Sequence, residues 1–205
     1  MNWQRNLHFV LAASLAMTAN CFAGEADQAV TGISTNAPAH RPENWAQPVK
    51  VAGIGNCYQV SSNLFRGAQP TAQGMTNLQN LGIKTVINLR AYHSDKGEVA
   101  GTTLKRERFG MNPWHANKDE VVGFLKVMAD TNNLPAFVHC QRGADRTGMM
   151  CAMYRITFCG WTKPEAIAEM TKGGFGFYPG WHELVAFIEK ADLDDIKRRA
   201  GLSEK

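Results

Sequence analysis

The stretch FVHCQRGADRTG, Phe137 to Gly148, sets Cys140 after a short apolar run and places Arg146 five intervening residues later. A thiol there could be a buried structural group, half of a disulfide, a metal ligand or a nucleophile. The neighbouring residue types discriminate among these. A short strand, a loop from Cys140 to Arg146 and a helix from about Thr147 would curl successive backbone N–H groups into a nest, with the positive end of the helix aimed into it. Gln141, Arg142, Gly143, Ala144, Asp145 and Arg146 would then line a cradle for a tetrahedral anion. Gly143 permits the tight turn, and the planar fork of Arg146 grips two anion oxygens at once. The same surroundings favour thiolate over thiol, so Cys140 is expected to have a depressed pKa and to attack phosphorus. Thr147 can donate its hydroxyl proton to the sulfur. His139 is read as ordering the loop, since a thiolate needs no base.

The other roles for a thiol find little support. The chain has no C-x-x-C pair and no His/Cys cluster at zinc spacing, so neither a metal nor a cofactor is expected. Cys151 and Cys159 on one helix would lie about 12 Å apart, beyond disulfide reach, and read as core thiols. An activated thiolate is open to oxidation, and Cys57 or Cys151 could serve as a resolving thiol.

HCQRGADRTG resembles the His-Cys-x5-Arg-Thr-Gly signature of protein tyrosine and dual-specificity phosphatases. The likeness extends through LFRGAQP, KTVINLR and GWTKPEAIAEMTKGGFGF, as in exported bacterial dual-specificity-like phosphatases, and covers most of the chain after about residue 54. The resemblance implies Cys140 as nucleophile, Arg146 as phosphate clamp, Thr147 as thiolate partner, a phosphocysteine intermediate and no metal. The family's general acid is an aspartate from a loop before the signature. That loop here is WHANKDE, and the aligned position is Asn117, whose amide cannot donate the proton. Two candidates follow: Asp119, preferred for aryl phosphates although it could equally be an acid at a helix N-terminus, and Asp145, which occupies the position of a proposed acid in myotubularin-like phosphatases or else braces the loop.

Strands alternating with helices, followed by a helical C-terminal half, point to an α/β fold with a small central mixed sheet flanked by helices and the phosphate loop between a strand and a helix. CYQVSSNLFRGAQP reads as two short strands, and TAQGMTNLQNLG as a helix capped by Thr71 and stopped at Gly82. IKTVINLR reads as a buried strand. SDKGEVAGTTLKRERFG is polar and expected to be partly helical, with Lys105, Arg106 and Arg108 on a solvated helix face. KDEVVGFLKVMADT carries Val121, Val122, Leu125 and Met128 at helical spacing. Thr162 and Glu165 form a capping-box pattern, and WHELVAFIEKA and LDDIKRRAG make two further helices. Arg66 in LFRGAQP is read as a surface ion pair, with a brace for the active site as the alternative; GGFGFYPGW as a loop covering the core, with a substrate-facing wall as the alternative; and Trp114 and His115 as pocket lining or packing equally.

The chain has 205 residues, 44% of them hydrophobic, which suits one domain. Residues 1–23 have Arg5, an apolar Leu7–Ala19 and small residues before Gly24, as in a secretory signal, and thirteen apolar residues are too few to span a bilayer. Residues 24–53 read as a loose N-terminal segment and 54–205 as the phosphatase domain. The protein is expected to be exported, to the periplasm or outside, as a monomer without an integral membrane anchor. A net charge of +4, about +3 once Arg5 is removed, is too mild to imply nucleic acid. The expected substrate is a phosphorylated protein, on phosphotyrosine or with dual specificity, or a small phosphate ester. A phosphoinositide or inositol phosphate phosphatase is the alternative. From another class, Asn117 motivates a catalytically weak pseudophosphatase that binds phosphorylated partners.

Overall fold

A computed structural model of the protein describes residues 41–112 and 114–202. The expected leader and Pro113 lie outside the described residues. The six strands are β1 (Gln47–Pro48), β2 (Tyr58–Gln59), β3 (Leu64–Gly67), β4 (Thr85–Arg90), β5 (Lys105–Met111) and β6 (Ala136–His139). They form one sheet in the order β1-β2-β3-β6-β4-β5. The β1, β2 and β3 pairings are antiparallel, whereas β3, β6, β4 and β5 run parallel. This is the expected mixed sheet.

The helices are α1 (Ala72–Asn80), α2 (Lys118–Ala129), α3 (Asp145–Phe158), α4 (Lys163–Lys172), α5 (His182–Lys190) and α6 (Leu193–Ala200). Side-chain alternation splits each inner strand between the two faces of the sheet. Phe65, Val86 and Phe137 pack with Met75 and Leu78 of α1. Leu64, Ile87 and Val138 pack with the helices from α2 to α6. Because both faces are covered, β4 is almost wholly buried, as a central parallel strand should be.

The helix ends follow their residue types. Thr71 accepts from the Gly74 N–H at the start of α1, and Gly82 after its end takes a φ of 89°. Thr162 and Glu165 close a reciprocal capping box at α4. Asn117 caps α2 by accepting from the Asp119 N–H, so the amide where an acid was expected has a structural task.

Away from the loop, the fold differs from the sequence reading in four places. Residues 91–104 form turns rather than helix, and Lys105, Arg106 and Arg108 lie on β5. As the edge strand, β5 meets solvent with charge, which blunts pairing with other chains. The segment expected to be loose is ordered where it is described: Ala46 is fully buried, its N–H donates to the Glu169 carboxylate, and the Arg41 guanidinium lies 4.8 Å from the Tyr58 ring centroid. The helix α3 begins at Asp145, two residues before the expected start. The end of α3 leaves Cys159 half-buried rather than in the core.

A buried ion pair joins this architecture behind the sheet. Arg155 of α3 donates from Nε and Nη2 to the two Glu169 oxygens at 3.0 and 2.9 Å, with both residues 2% exposed. The Glu169→Ala substitution would leave a desolvated guanidinium unpaired, and its expected cost in urea unfolding is about 3–5 kcal/mol. A loss under about 1 kcal/mol, the scale of a solvated surface pair, would show that the pair is not buried in solution.

Candidate active site

The strand β6 delivers Cys140 at the C-terminal edge of the sheet, and the chain turns through 141–144 into α3. Gly143 takes a φ of 69°, and a Cβ there would come within 2.4–2.5 Å of the Gly67 and Ala68 backbone. Glycine is therefore required twice, for the left-handed turn and for the close approach to the end of β3. Gln141 and Arg142 are exposed, whereas Gly143, Ala144, Asp145 and Thr147 are buried and Arg146 is half-buried. Arg146 donates to the Met111 carbonyl at 3.2 Å, which ties it to the end of β5.

Cys140 is 1% exposed. Burial alone would push its thiol up, but the hydroxyl and N–H of Thr147, the Arg146 guanidinium and the Arg142 N–H outweigh it and hold the thiol below its ordinary pKa. Thr147 Oγ1 is buried without a partner in standard hydrogen-bond geometry, so its influence on the sulfur is one of proximity rather than good alignment. Cys57 and Cys151 differ: burial pushes each thiol up to about 11, so neither is a ready thiolate in the folded chain.

His139 orders the loop as expected. Fully buried, it places Nδ1 at 3.2 Å from the Cys140 carbonyl and Nε2 at 2.9 Å from Asp95 Oδ2. Both partners are oxygens that can accept from a ring N–H. Asp95, 4% exposed, also accepts from Gln69 Nε2 at 2.9 Å, and Gln69 Oε1 accepts from Arg90. Burial favours the neutral carboxyl of Asp95, but His139 and Gln69 hold its pKa below the usual carboxylate range. Asp95 was missed in the sequence: it sits in a polar turn, and nothing local marks it as buried.

Arg66 requires a correction. It is 1% exposed and makes no surface ion pair; its guanidinium donates to the Gly143 carbonyl at 2.8 Å and the Ala144 carbonyl at 3.3 Å, and lies 3.7 Å from the Phe175 ring centroid. The sequence did hold a signal. Leu64 and Arg66 share one face of a strand, and the face that buries Leu64 buries the arginine too.

The two acid candidates separate. Asp145 opens α3 beside the loop, where Oδ1 accepts from the Tyr178 N–H at 2.8 Å. Asp119 is exposed in the first turn of α2 and pairs with Arg199 of α6. The cleft of about 240 Å³ at the loop is lined by Arg90, Tyr92, Asn112, Trp114, Gln141 and Arg146, with Ala91. Neither Asp119 nor Asp145 lines it, so the two candidates differ by their neighbours, the loop for Asp145 and α6 for Asp119. Of its two readings, Trp114 takes the pocket-lining one, while His115 lines a neighbouring cleft between α2, α5 and α6. Together the parts set a buried sulfur of lowered pKa beside a left-handed glycine turn, an arginine and the start of a helix.

Comparison with known proteins points the same way. The family model described as DSP-PTPase phosphatase fused to NAD+ kinase matches residues 43–174. The dual specificity protein phosphatase TpbA of Pseudomonas aeruginosa is 34% identical over 78% of this chain and 72% of its own length. A crystal structure of TpbA superposes with a TM-score of 0.70 at 31% identity, covering 80% of this chain and all of that one. A variant of TpbA in complex with pTyr gives a TM-score of 0.68 at 30% identity, covering 82% and 100%. The inositol diphosphatase DSP3 of Arabidopsis thaliana is 28% identical over 72% of this chain and 75% of its own length.

The sulfur chemistry is open to direct measurement. Iodoacetamide should alkylate Cys140 with a pH midpoint below the roughly 8.5 of a free cysteine, and Thr147→Val should move that midpoint upward. Cys57 and Cys151 should stay unmodified in the folded protein. A midpoint for Cys140 at or above the free value would mean that the loop does not stabilise a thiolate.

Proposed function

The chain belongs to the dual-specificity-type protein tyrosine phosphatase family, a group of cysteine-dependent hydrolases, and on that premise we propose that it hydrolyses aryl phosphate monoesters, phosphotyrosine foremost, through a phosphocysteine at Cys140. The observation that carries the reading is a buried sulfur whose pKa is held down by Thr147, Arg146 and Arg142. The complex of a TpbA variant with pTyr supports the choice of leaving group.

Arg146 and the inward N–H groups of residues 141–146 bind the phosphoryl oxygens and neutralise their charge. The Cys140 thiolate attacks phosphorus, an S–P bond forms and the P–O bond to the leaving group breaks with its electron pair on oxygen. Water then cleaves the phosphocysteine, releasing inorganic phosphate and restoring the thiolate. Such preorganised donors act where charge develops and need no reorganisation during the step.

The leaving oxygen takes its proton from Asp145 in this reading. Oδ1 of Asp145 is committed to Tyr178, and Oδ2 carries no hydrogen bond among the described residues. Asp119 is tied to Arg199 on the α2–α6 seam and serves the helix end. A phenolate needs less help from an acid than an alkoxide does, which fits a preference for aryl esters.

A second substrate class has its own observation. The cleft presents two guanidiniums, Arg90 and Arg146, and no carboxylate among its lining residues. This suits a substrate with a second anionic group, such as an inositol phosphate. Export through the leader at 1–23 belongs to the proposal as well and rests on the pattern of Arg5, the apolar run and Gly24.

Purified protein should hydrolyse p-nitrophenyl phosphate and phosphotyrosine peptides, and Cys140→Ser should abolish both. Binding of phosphopeptide without turnover would overturn the enzyme reading, and turnover of inositol phosphates alone would move the substrate to the second class. Asp145→Asn should lose the basic limb of the kcat/KM profile with a drop of about 10²–10⁴, while Asp119→Asn keeps the wild-type profile. Loss of that limb in Asp119→Asn, or in neither variant, would remove Asp145 as the acid.

A further inference from the structure

In a trans peptide the carbonyl of one residue and the N–H of the next point in opposite directions. A loop that must aim its N–H groups at an anion therefore turns its carbonyls away from it, and those carbonyls need partners behind the loop. Each carbonyl from Cys140 to Ala144 has such a partner. His139 Nδ1 meets Cys140 O at 3.2 Å, and the Gln69 N–H donates to Gln141 O at 3.3 Å. Asn56 Nδ2 donates to Arg142 O at 2.9 Å. Arg66 Nη2 donates to both Gly143 O and Ala144 O. The geometry can be checked at one peptide: holding Gln141 O outward should turn the Arg142 N–H inward, and that N–H does act on the Cys140 sulfur.

Arg66 is the costly member of this set. Its guanidinium is nine-tenths or more buried, its Nε has no partner, and among the described residues it pairs with no carboxylate. Its charge is met by two carbonyls and the face of Phe175, a desolvated cation–π contact. Asn56 is strained in its own way, with a φ of 53°, and it spends its amide on Arg142 O and on Phe175 O at 2.8 Å. An apolar residue at position 66 would fill the space with less desolvation. A buried, unpaired cation aimed at loop carbonyls is explained by what it does to the loop.

We propose that Arg66 and Asn56 are positioning residues for the phosphate loop: by capturing the Arg142, Gly143 and Ala144 carbonyls from behind, they force the Gly143, Ala144 and Asp145 N–H groups toward the anion before substrate arrives. Phe175 and Tyr178 extend the device into the loop after α4. The ring of Phe175 backs Arg66, its carbonyl accepts from Asn56, and the Tyr178 N–H holds Asp145. Neither Arg66 nor Asn56 needs to touch substrate.

The test uses the full chain and two readouts that do not depend on turnover: the inhibition or binding constant of inorganic tungstate, and the pH midpoint of Cys140 alkylation. Arg66→Met should weaken tungstate by about tenfold or more, the scale on which groups one layer behind a ligand act, and should raise the alkylation midpoint. Arg66→Lys, which restores a charged donor, should recover part of both. Asn56→Gly keeps the positive φ while removing the amide, and should shift both readouts in the same direction by less. If Arg66→Met lowers thermal stability but leaves both readouts unchanged, Arg66 is a packing residue and the proposal fails. If Arg66→Met does not fold, Asn56→Gly decides, and unchanged readouts there also overturn it. A wild-type protein that binds tungstate but hydrolyses no phosphate ester would sink the proposed function and leave this inference standing.

Discussion

A sulfur held below its ordinary pKa while only 1% exposed is the constraint from which the rest of the structure follows. An uncompensated charge in such a place costs several kcal/mol or simply neutralises. The Cys140 thiolate is tenable because N–H and O–H donors and a guanidinium replace the water it lost. Those donors come from a strand–loop–helix unit, and that unit needs a rigid frame. Setting β6 between β3 and β4 provides one. Both neighbours end at the same edge, so the backbone of β3 can press on Gly143 and the turn after β4 can reach His139. Ligand sites at the carboxyl edge of parallel strands arise from this convergence of strand ends.

The second layer is polar for the same reason. Asp95, Gln69 and Arg90 form a chain behind and beside the loop, with His139 joining it to the Cys140 carbonyl. Their hydrogen bonds offset the desolvation of Asp95 and His139, and they fix the turn at 91–102 against β6. The buried Arg155–Glu169 pair does similar work at the far end of α3, where Glu169 also accepts from the Ala46 N–H and so pins the N-terminal segment. In both cases a charge is buried only where it organises more than one segment.

Much of this was legible in the residues because the relevant forces are local. Helix caps at Thr71 and Thr162, the period of α2 and the run of β4 are set by neighbours in sequence, and the structure reproduces them. The cradle was equally legible, since Cys140, Gly143, Arg146 and Thr147 fall within one short loop. What escaped depends on distant contacts. Lys105–Met111 reads as a charged helix face until β4 offers it an edge to pair with. Residues 41–53 lack an apolar period, yet Glu169 and Tyr58 give them somewhere to dock. Arg66 and Asp95 look like ordinary surface charges because their partners, the loop carbonyls and His139, lie 77 and 44 residues away. Asn117 reads as a missing acid, and only the start of α2 reveals it as a cap.

The same constraint divides the site into two unequal halves. The loop's carbonyls from Cys140 to Ala144 are all tied down and its Gly143 has no room for a Cβ, so its shape belongs to the fold itself. Tyr92 and Trp114, 92% and 58% exposed, line the cleft beside the loop, and Tyr178, 55% exposed, holds Asp145 through its N–H. Trp181 links two of them, with ring centroids 6.3 Å from Trp114 and 5.8 Å from Tyr178. Exposed rings offer broad apolar contact without the fixed hydrogen bonds that would reject a different leaving group.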